Sequence, residues 1–546
     1  MISVIFCLHL LFDGRLVVGT PGNSDHDSDW DRLRFQVQEA NPDLQDSLDV
    51  AATLESMGWT DRQVEESFGY SNLFDAGEEM YASIRRQVTQ KPLPIKITIG
   101  RKALFLSVVR DIGHGVTFTL PMIISVAAMI TLHISFSSYL KFSVPDATAI
   151  ALATFFSFLT TGGFSQAMTN IYYVLTGMQK VPEIEATVFL VMRWSMAVTL
   201  VFCAAITIGD FIFPIMPESL IMLAVLYTIL LSLLWLSFAG LYILRREYFL
   251  TIITALAIFI AYELHKRGAS VQLAQSVAII VASLSAVLTS LVIFRRRTRG
   301  VDPLKGVFAT RLAQLAHGSG IYFAYGLLYF VYIYADRLVA WSSQTTYLPY
   351  NIWFRGQYEL GMDWSLVALF VPLTLAEVLI SAVMRRISNL EHKYGLRDDA
   401  GLYQRVRRTY LLMLSIFVAL SVFGGIATHV AVNFLAPLPL FHLSVPVEGV
   451  EPFVFFWSSL AYVLFCVAIF NVLLLFSLSH PRPALRTLGL GIVVDLAVGL
   501  LAAQIFGGYQ YAVFGLVAGS IFVALYSTQT VMMMLPRLDY FLYRLT

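Results

Sequence analysis

From residue 114 to residue 534 the sequence is a succession of apolar stretches, each about 20 residues long, the length of a helix that crosses a bilayer. They run over 114–136, 147–172, 187–213, 218–242, 247–264, 271–294, 313–335, 362–384, 409–434, 452–478, 487–506 and 510–534. Lipid offers the backbone no hydrogen-bond partners, so stretches of this kind fold as helices. Of the 546 residues, 57% are hydrophobic and 13% charged, against about 25% charged in a globular domain. The chain is expected to be all-α and polytopic, with about 12 transmembrane helices.

Charge orients the spans. Arg295 to Arg311, RRRTRGVDPLKGVFATR, carries six bases and one acid between the sixth and seventh stretches. Such a cluster stays on the cytoplasmic face. Alternation then puts Arg245, Arg246, Arg385, Arg386, Lys393, Arg397, Arg405, Arg407, Arg408, Arg482 and Arg486 on that face. The other face receives only Lys141, Lys266, Arg267, Arg337 and Arg355. The expectation is a multi-pass protein of the cytoplasmic (inner) membrane with both termini inside. Its parts are an apolar segment and linker (1–29), an acidic helical domain (30–90), and two six-helix lobes (91–300 and 301–546). A faint repeat supports the two lobes: at an offset of 214, Phe156 aligns with Phe370 and Thr160 with Thr374. Pro121, Gly162-Gly163, Pro372 and Gly424-Gly425 interrupt the apolar runs, either to bend helices around a cavity or as the ordinary packing residues of membrane helices.

Residues 25–90 hold 15 Asp/Glu and 5 Lys/Arg. Leu44, Leu48, Ala51, Ala52 and Met57 recur at helical spacing up to Gly58, and Thr60 to Gln63 fits a capping box. Phe74, Met80 and Ile84 are expected on one face of a further helix. The acidity argues against nucleic acid as a partner and favours protein contact. Residues 2–12 are apolar but too short to span; a signal peptide and a buried segment both fit. The three cysteines are far apart and imply no disulfide framework. No Walker A run is present, and no cofactor or metal motif.

Three stretches carry a family resemblance. TTGGFSQAMTNIYYVLTG at 160–177 resembles a second span with a Thr-Gly-Pro-Phe-Gln run followed by Thr-Arg-Tyr. Here Gly163 stands for the proline, Gln166 is displaced by one, and Asn170 stands for the arginine. SNLEHKYGLRDDAGLYQRVRRTY at 388–410 resembles a long amphipathic loop after span eight, and LPRLDYFLYRLT at 535–546 a family ending. Residues 91–546 thus resemble the PelG-like membrane subunit of Pel exopolysaccharide export, within the MOP (MATE/Wzx/MurJ-like) flippase superfamily. The resemblance implies a V-shaped pair of lobes that alternate between inward and outward openings. It implies export of a polysaccharide or lipid-linked saccharide without covalent chemistry, alongside other export-complex membrane subunits.

Ionisable groups within spans are expensive and mark pathways or internal pairs. The deepest are Arg193, Glu377 and Asp495, with Asp336 and Arg337 nearer a span end and Asn170 a polar neighbour. They are candidates for lining a central pathway, where protonation of a carboxylate would couple transport to a proton gradient. Structural Arg–carboxylate pairing is the alternative. Tyr325, Tyr329 and Tyr332 share one helix face and suit stacking against sugar rings. From Trp341 onward the aromatics read as an outer-leaflet belt, with a platform for sugar rings as the alternative. The basic loop 387–408 reads as an amphipathic surface helix or as a dock for a cytoplasmic glycosyltransferase. A Wzx-like lipid-linked oligosaccharide flippase, a MATE-like ion-coupled small-molecule antiporter and a membrane scaffold remain alternatives.

Overall fold

The computed structural model describes residues 29–40, 47–90, 101–136, 142–177, 181–214, 216–298, 308–346, 348–394, 399–435, 445–478 and 480–537. Residues 1–28 lie outside these, as do Leu44, Lys141, Arg299 to Lys305, Arg397 and the ending after Arg537. The chain separates into two compact units, Arg15–Ser107 and a unit that includes Val108–Thr546.

The smaller unit holds α1 (Asp29–Ala40), α2 (Ser47–Ser56), α3 (Asp61–Phe68) and α4 (Leu73–Gln90). Gly58 follows α2 at φ 91°, a left-handed backbone suited to glycine. The capping box is formed: Gln63 N–H donates to Thr60 Oγ1 at 3.4 Å and Thr60 N–H donates to Gln63 Oε1 at 3.0 Å. Leu33, Val37, Val50, Leu54, Val64, Ala76 and Met80 make the core. The two expected faces are met in part: Ala51 and Met80 are buried and Ile84 packs on the core, whereas Leu48, Met57 and Phe74 are exposed and Val50, Leu54, Leu73 and Ala76 point inward in their place. Gly77 sets the second face: a Cβ there would lie 2.8 Å from the Ser47 carbonyl oxygen, so α4 turns its glycine side to α2.

The larger unit is a polytopic helical bundle with no β-strand among the described residues. Its helices are α5 (Arg101–Leu132), α6 (Val144–Gly177), α7 (Val181–Ile212), α8 (Glu218–Ile243), α9 (Glu247–Lys266) and α10 (Val271–Thr298). Then follow α11 (Phe308–Ser342), α12 (Gly356–Val367), α13 (Phe370–Tyr394), α14 (Asp399–Leu435), α15 (Glu451–Ser477), α16 (Pro481–Ile505) and α17 (Val513–Met534). Among the described residues, eleven spans are long and apolar enough to cross a membrane, with α12 and α13 together forming one of them. The first expected span is α5, whose apolar part is short, Thr119–Met129. Arg101, Lys102, Arg110 and Asp111 occupy its opening turns.

The expected interruptions fall differently. α6 runs unbroken through Gly162-Gly163, α14 through Gly424-Gly425, and α5 through Pro121. These glycines serve close approach. A Cβ at Gly326 on α11 would lie 2.5 Å from the Gly162 carbonyl oxygen, and one at Gly163 would lie 2.8 Å from the Phe323 ring. Phe158 and Phe330 stack at 4.4 Å along the same seam, and Asn170 Nδ2 donates to Ser319 Oγ at 3.0 Å. The break that does occur separates α12 from α13 just ahead of Pro372. Proline lacks an N–H and its ring would clash with the carbonyl four residues back, that of Ala368. That carbonyl faces Gly424, whose Cβ would meet it at 2.6 Å.

Candidate functional site

The last turns of α11 bring four side chains to the start of α12. Arg337 and Trp341 are four residues apart on α11, as Glu359 and Asp363 are on α12, so each pair shares a helix face. Arg337 Nη1 donates to Glu359 Oε2 at 2.6 Å and Nη2 to Asp363 Oδ1 at 3.4 Å. Trp341 Nε1 donates to the other Glu359 oxygen at 2.8 Å. Arg337 and Glu359 are buried, whereas the Asp363 side chain is 61% exposed. The Arg337 guanidinium also lies 5.4 Å from the centre of the Tyr334 ring.

Asp336 turns about 100° away from Arg337 around α11. Its Oδ2 accepts from the Tyr358 hydroxyl at 2.6 Å, and its Oδ1 has no partner. One turn earlier, the Tyr332 hydroxyl and Ser520 Oγ on α17 lie 3.0 Å apart. Asp495 enters from α16. It is fully buried, and neither carboxyl oxygen has a hydrogen-bond partner. Two glycines on α17 make room for it. A Cβ at Gly515 would lie 2.6 Å from Asp495 Oδ1, and one at Gly519 would lie 3.1 Å from Asp495 Cβ and 3.3 Å from the Tyr332 hydroxyl. Arg337 thus pairs with Glu359 and Asp363, while Asp336 bonds Tyr358 and Asp495 lies beside Tyr332; the five charged residues are on helices α11, α12 and α16. Among the described residues no cluster of three or more His, Cys, Asp or Glu is arranged to hold a metal ion.

Of the residues singled out in the sequence, Tyr332, Asp336, Arg337 and Asp495 thus come together. The others do not join them. Tyr325 and Tyr329 pack against α15, Tyr325 edge-on to Phe476 at 4.8 Å and Tyr329 6.2 Å from Phe465. Asn170 lies on the α6–α11 seam. The Glu377 side chain lies outside the described residues. Arg193 is exposed on α7 beside Trp194, which is 61% exposed. It precedes Ile212 by 212 − 193 = 19 residues, about 29 Å of helix, close to one hydrocarbon thickness. That is where a base snorkels and an aromatic anchors.

Glu359, Asp363, Tyr358 and Trp341 are the additions. The expected eighth span began at 362, so α12 read as a loop and Trp341 and Tyr358 as belt aromatics. Both rings are in fact fully buried, and both donate to carboxylates. The signal was present in Tyr358-Glu359 and Asp363 recurring four apart beside a tryptophan-rich loop.

The bundle superposes on an outward-facing multidrug-resistance MATE family transporter with a TM-score of 0.50 and 14% identity, covering 79% of this chain and 96% of the other. This is the fold of the MOP-superfamily transporters. A MATE transporter from Vibrio cholerae matches likewise, with a TM-score of 0.50 and 13% identity over 79% of this chain and 96% of that one. No protein-family model matches the sequence, and no curated protein is similar to it in sequence. Within this MOP fold, the charged group sits where α11 gives way to the broken α12–α13 span.

Proposed function

We propose that this protein is a transporter that moves an exopolysaccharide, or its lipid-linked precursor, across the cytoplasmic membrane by alternating access. The observation that carries the reading is a set of buried carboxyls, three of whose oxygens lack partners, beside one arginine inside a MOP-type bundle. A stability element would satisfy such groups, because an unmatched buried charge is costly. A transport site keeps them available to a passing proton, cation or charged sugar. The PelG-like features of 160–177 and 388–410 favour a saccharide. The exposed Arg246, Arg295, Arg296, Arg385, Arg386, Arg405, Arg407, Arg408, Arg482 and Arg486 favour a cytoplasmic location for the end they share. A cytoplasmic glycosyltransferase is the partner that the basic 387–408 segment would receive.

The second reading is an ion-coupled small-molecule antiporter, favoured by the match to a multidrug MATE transporter. Secreted polysaccharide separates the two. Asp495→Ala and Glu377→Ala are expected to abolish it with the protein level unchanged. Normal secretion in both variants, with substrate-dependent proton flux in vesicles, would favour the antiporter.

A further inference from the structure

We propose that residues 348–355 form a strap that closes one end of the pathway, stays with α11–α17, and parts from α6 when that end opens. The inference rests on the alternating-access reading. The strap joins α11 to α12 and touches helices of both six-helix lobes, α6 of the first and α11 of the second. Toward α6 it presents apolar side chains: Tyr350, Ile352 and Phe354 pack into the cluster of Leu152, Met216 and Trp341. Among the described residues it makes one hydrogen bond there, from Phe354 N–H to Thr148 Oγ1 at 3.1 Å.

Its other ties, and those of the residues flanking it, are polar and lie within the second lobe. Trp353 N–H donates to the Trp341 carbonyl at 2.9 Å. Arg355 Nη2 donates to the carbonyls of Ser343 and Gln344 at 2.6 and 3.1 Å. The Arg355 guanidinium lies 4.6 Å over the Tyr509 ring, at the turn between α16 and α17. Gln344 donates to the Gly507 carbonyl in that turn, and the Tyr509 hydroxyl donates to Gln357 at 3.2 Å.

The asymmetry decides which side lets go. Apolar faces separate into lipid or headgroup at the loss of a single hydrogen bond: the Phe354 N–H gives up its acceptor, and the Thr148 hydroxyl keeps its bond to the Val144 carbonyl at 2.7 Å. Detaching from the α16–α17 turn would give up the Arg355 contact with the Tyr509 ring together with the flanking Gln344–Gly507 and Tyr509–Gln357 hydrogen bonds. Trp341 joins the strap to the charged group. Its carbonyl holds Trp353, its ring supports Phe354 at 6.1 Å, and its indole N–H holds Glu359. A change at Glu359 therefore reaches the strap through one side chain.

The test uses the full chain in lipid nanodiscs with Cys7, Cys203 and Cys466 replaced by alanine. Spin labels are placed on Asn351→Cys with Val144→Cys, and separately on Asn351→Cys with Phe506→Cys. All three positions are exposed. The first pair is expected to show two distance populations, and the second a single one. Thr148→Val is expected to enlarge the longer population of the first pair. Splitting of the second pair alone, or of neither, overturns the proposal, as does indifference to Thr148→Val. No substrate enters this measurement, so a failed secretion assay would count against the saccharide reading and leave the strap standing.

Discussion

The guanidinium of Arg337 meets the carboxylate of Glu359 at 2.6 Å, with side-chain exposures of 8% and 7%. Glu359 uses its second oxygen to accept from Trp341, so both lone-pair faces of this carboxylate are occupied. Breaking such a pair from one side leaves a charge without compensation in a dry site. Arg337→Met is therefore expected to cost about 3–5 kcal/mol. Arg337→Met with Glu359→Leu is expected to recover most of that loss. Thermal unfolding of the four members of this cycle, in one detergent, is the measurement. Equal losses in the single and double variants would refute the pairing account.

Asp495 should respond in the opposite sense. Both of its oxygens lack partners, so its charge contributes no matched interaction to the fold. Asp495→Asn is expected to leave the unfolding temperature unchanged or higher while secreted polysaccharide falls to background. Stability lost in proportion to secretion would make Asp495 a packing residue.

The α6–α11 seam tolerates no side chain at Gly326, where a Cβ would press on the Gly162 carbonyl and the Gln166 side chain. Gly326→Ala is expected to destabilise by about 1–3 kcal/mol through overpacking. Gly318, on the same helix, has nothing within 4 Å of an added Cβ. Gly318→Ala is expected to be neutral or to stabilise by about 0.5–1 kcal/mol, since alanine is the better helix former. Matched effects at the two glycines would show that the close approach does not matter.

In the smaller unit, Thr60→Ala removes the side chain that accepts from Gln63 N–H. The expected cost is about 1 kcal/mol. Limited proteolysis of the full chain should cut α3 of the variant sooner than wild type, with the membrane bundle unaffected.

The fold was legible because lipid reduces the problem to length and polarity. Span positions and the capping box needed nothing beyond local sequence. That Asp336, Arg337 and Asp495 lie in one region was half legible. Their rarity within apolar stretches marked them, but their shared location depends on how α11 crosses α16. Glu359 was missed because a polar turn of helix entering the membrane resembles a loop when read alone. The roles of Gly162 and Gly424 stayed open between bending and packing for a related reason. A missing Cβ permits either a bend or a close neighbour, and only the facing helix decides between them.

The gap between Val367 and Phe370 divides the eighth span into a short piece bearing Glu359 and Asp363 and a longer piece bearing Thr374. The longer piece is fastened to α5, where Thr374 Oγ1 meets Thr119 Oγ1 at 3.2 Å. At this knuckle the helical ladder gives way to tighter bonds, from Ala368 N–H to the Ser365 carbonyl and from Leu369 N–H to the Leu366 carbonyl, so the acidic piece and its longer neighbour are each fixed by partners of their own.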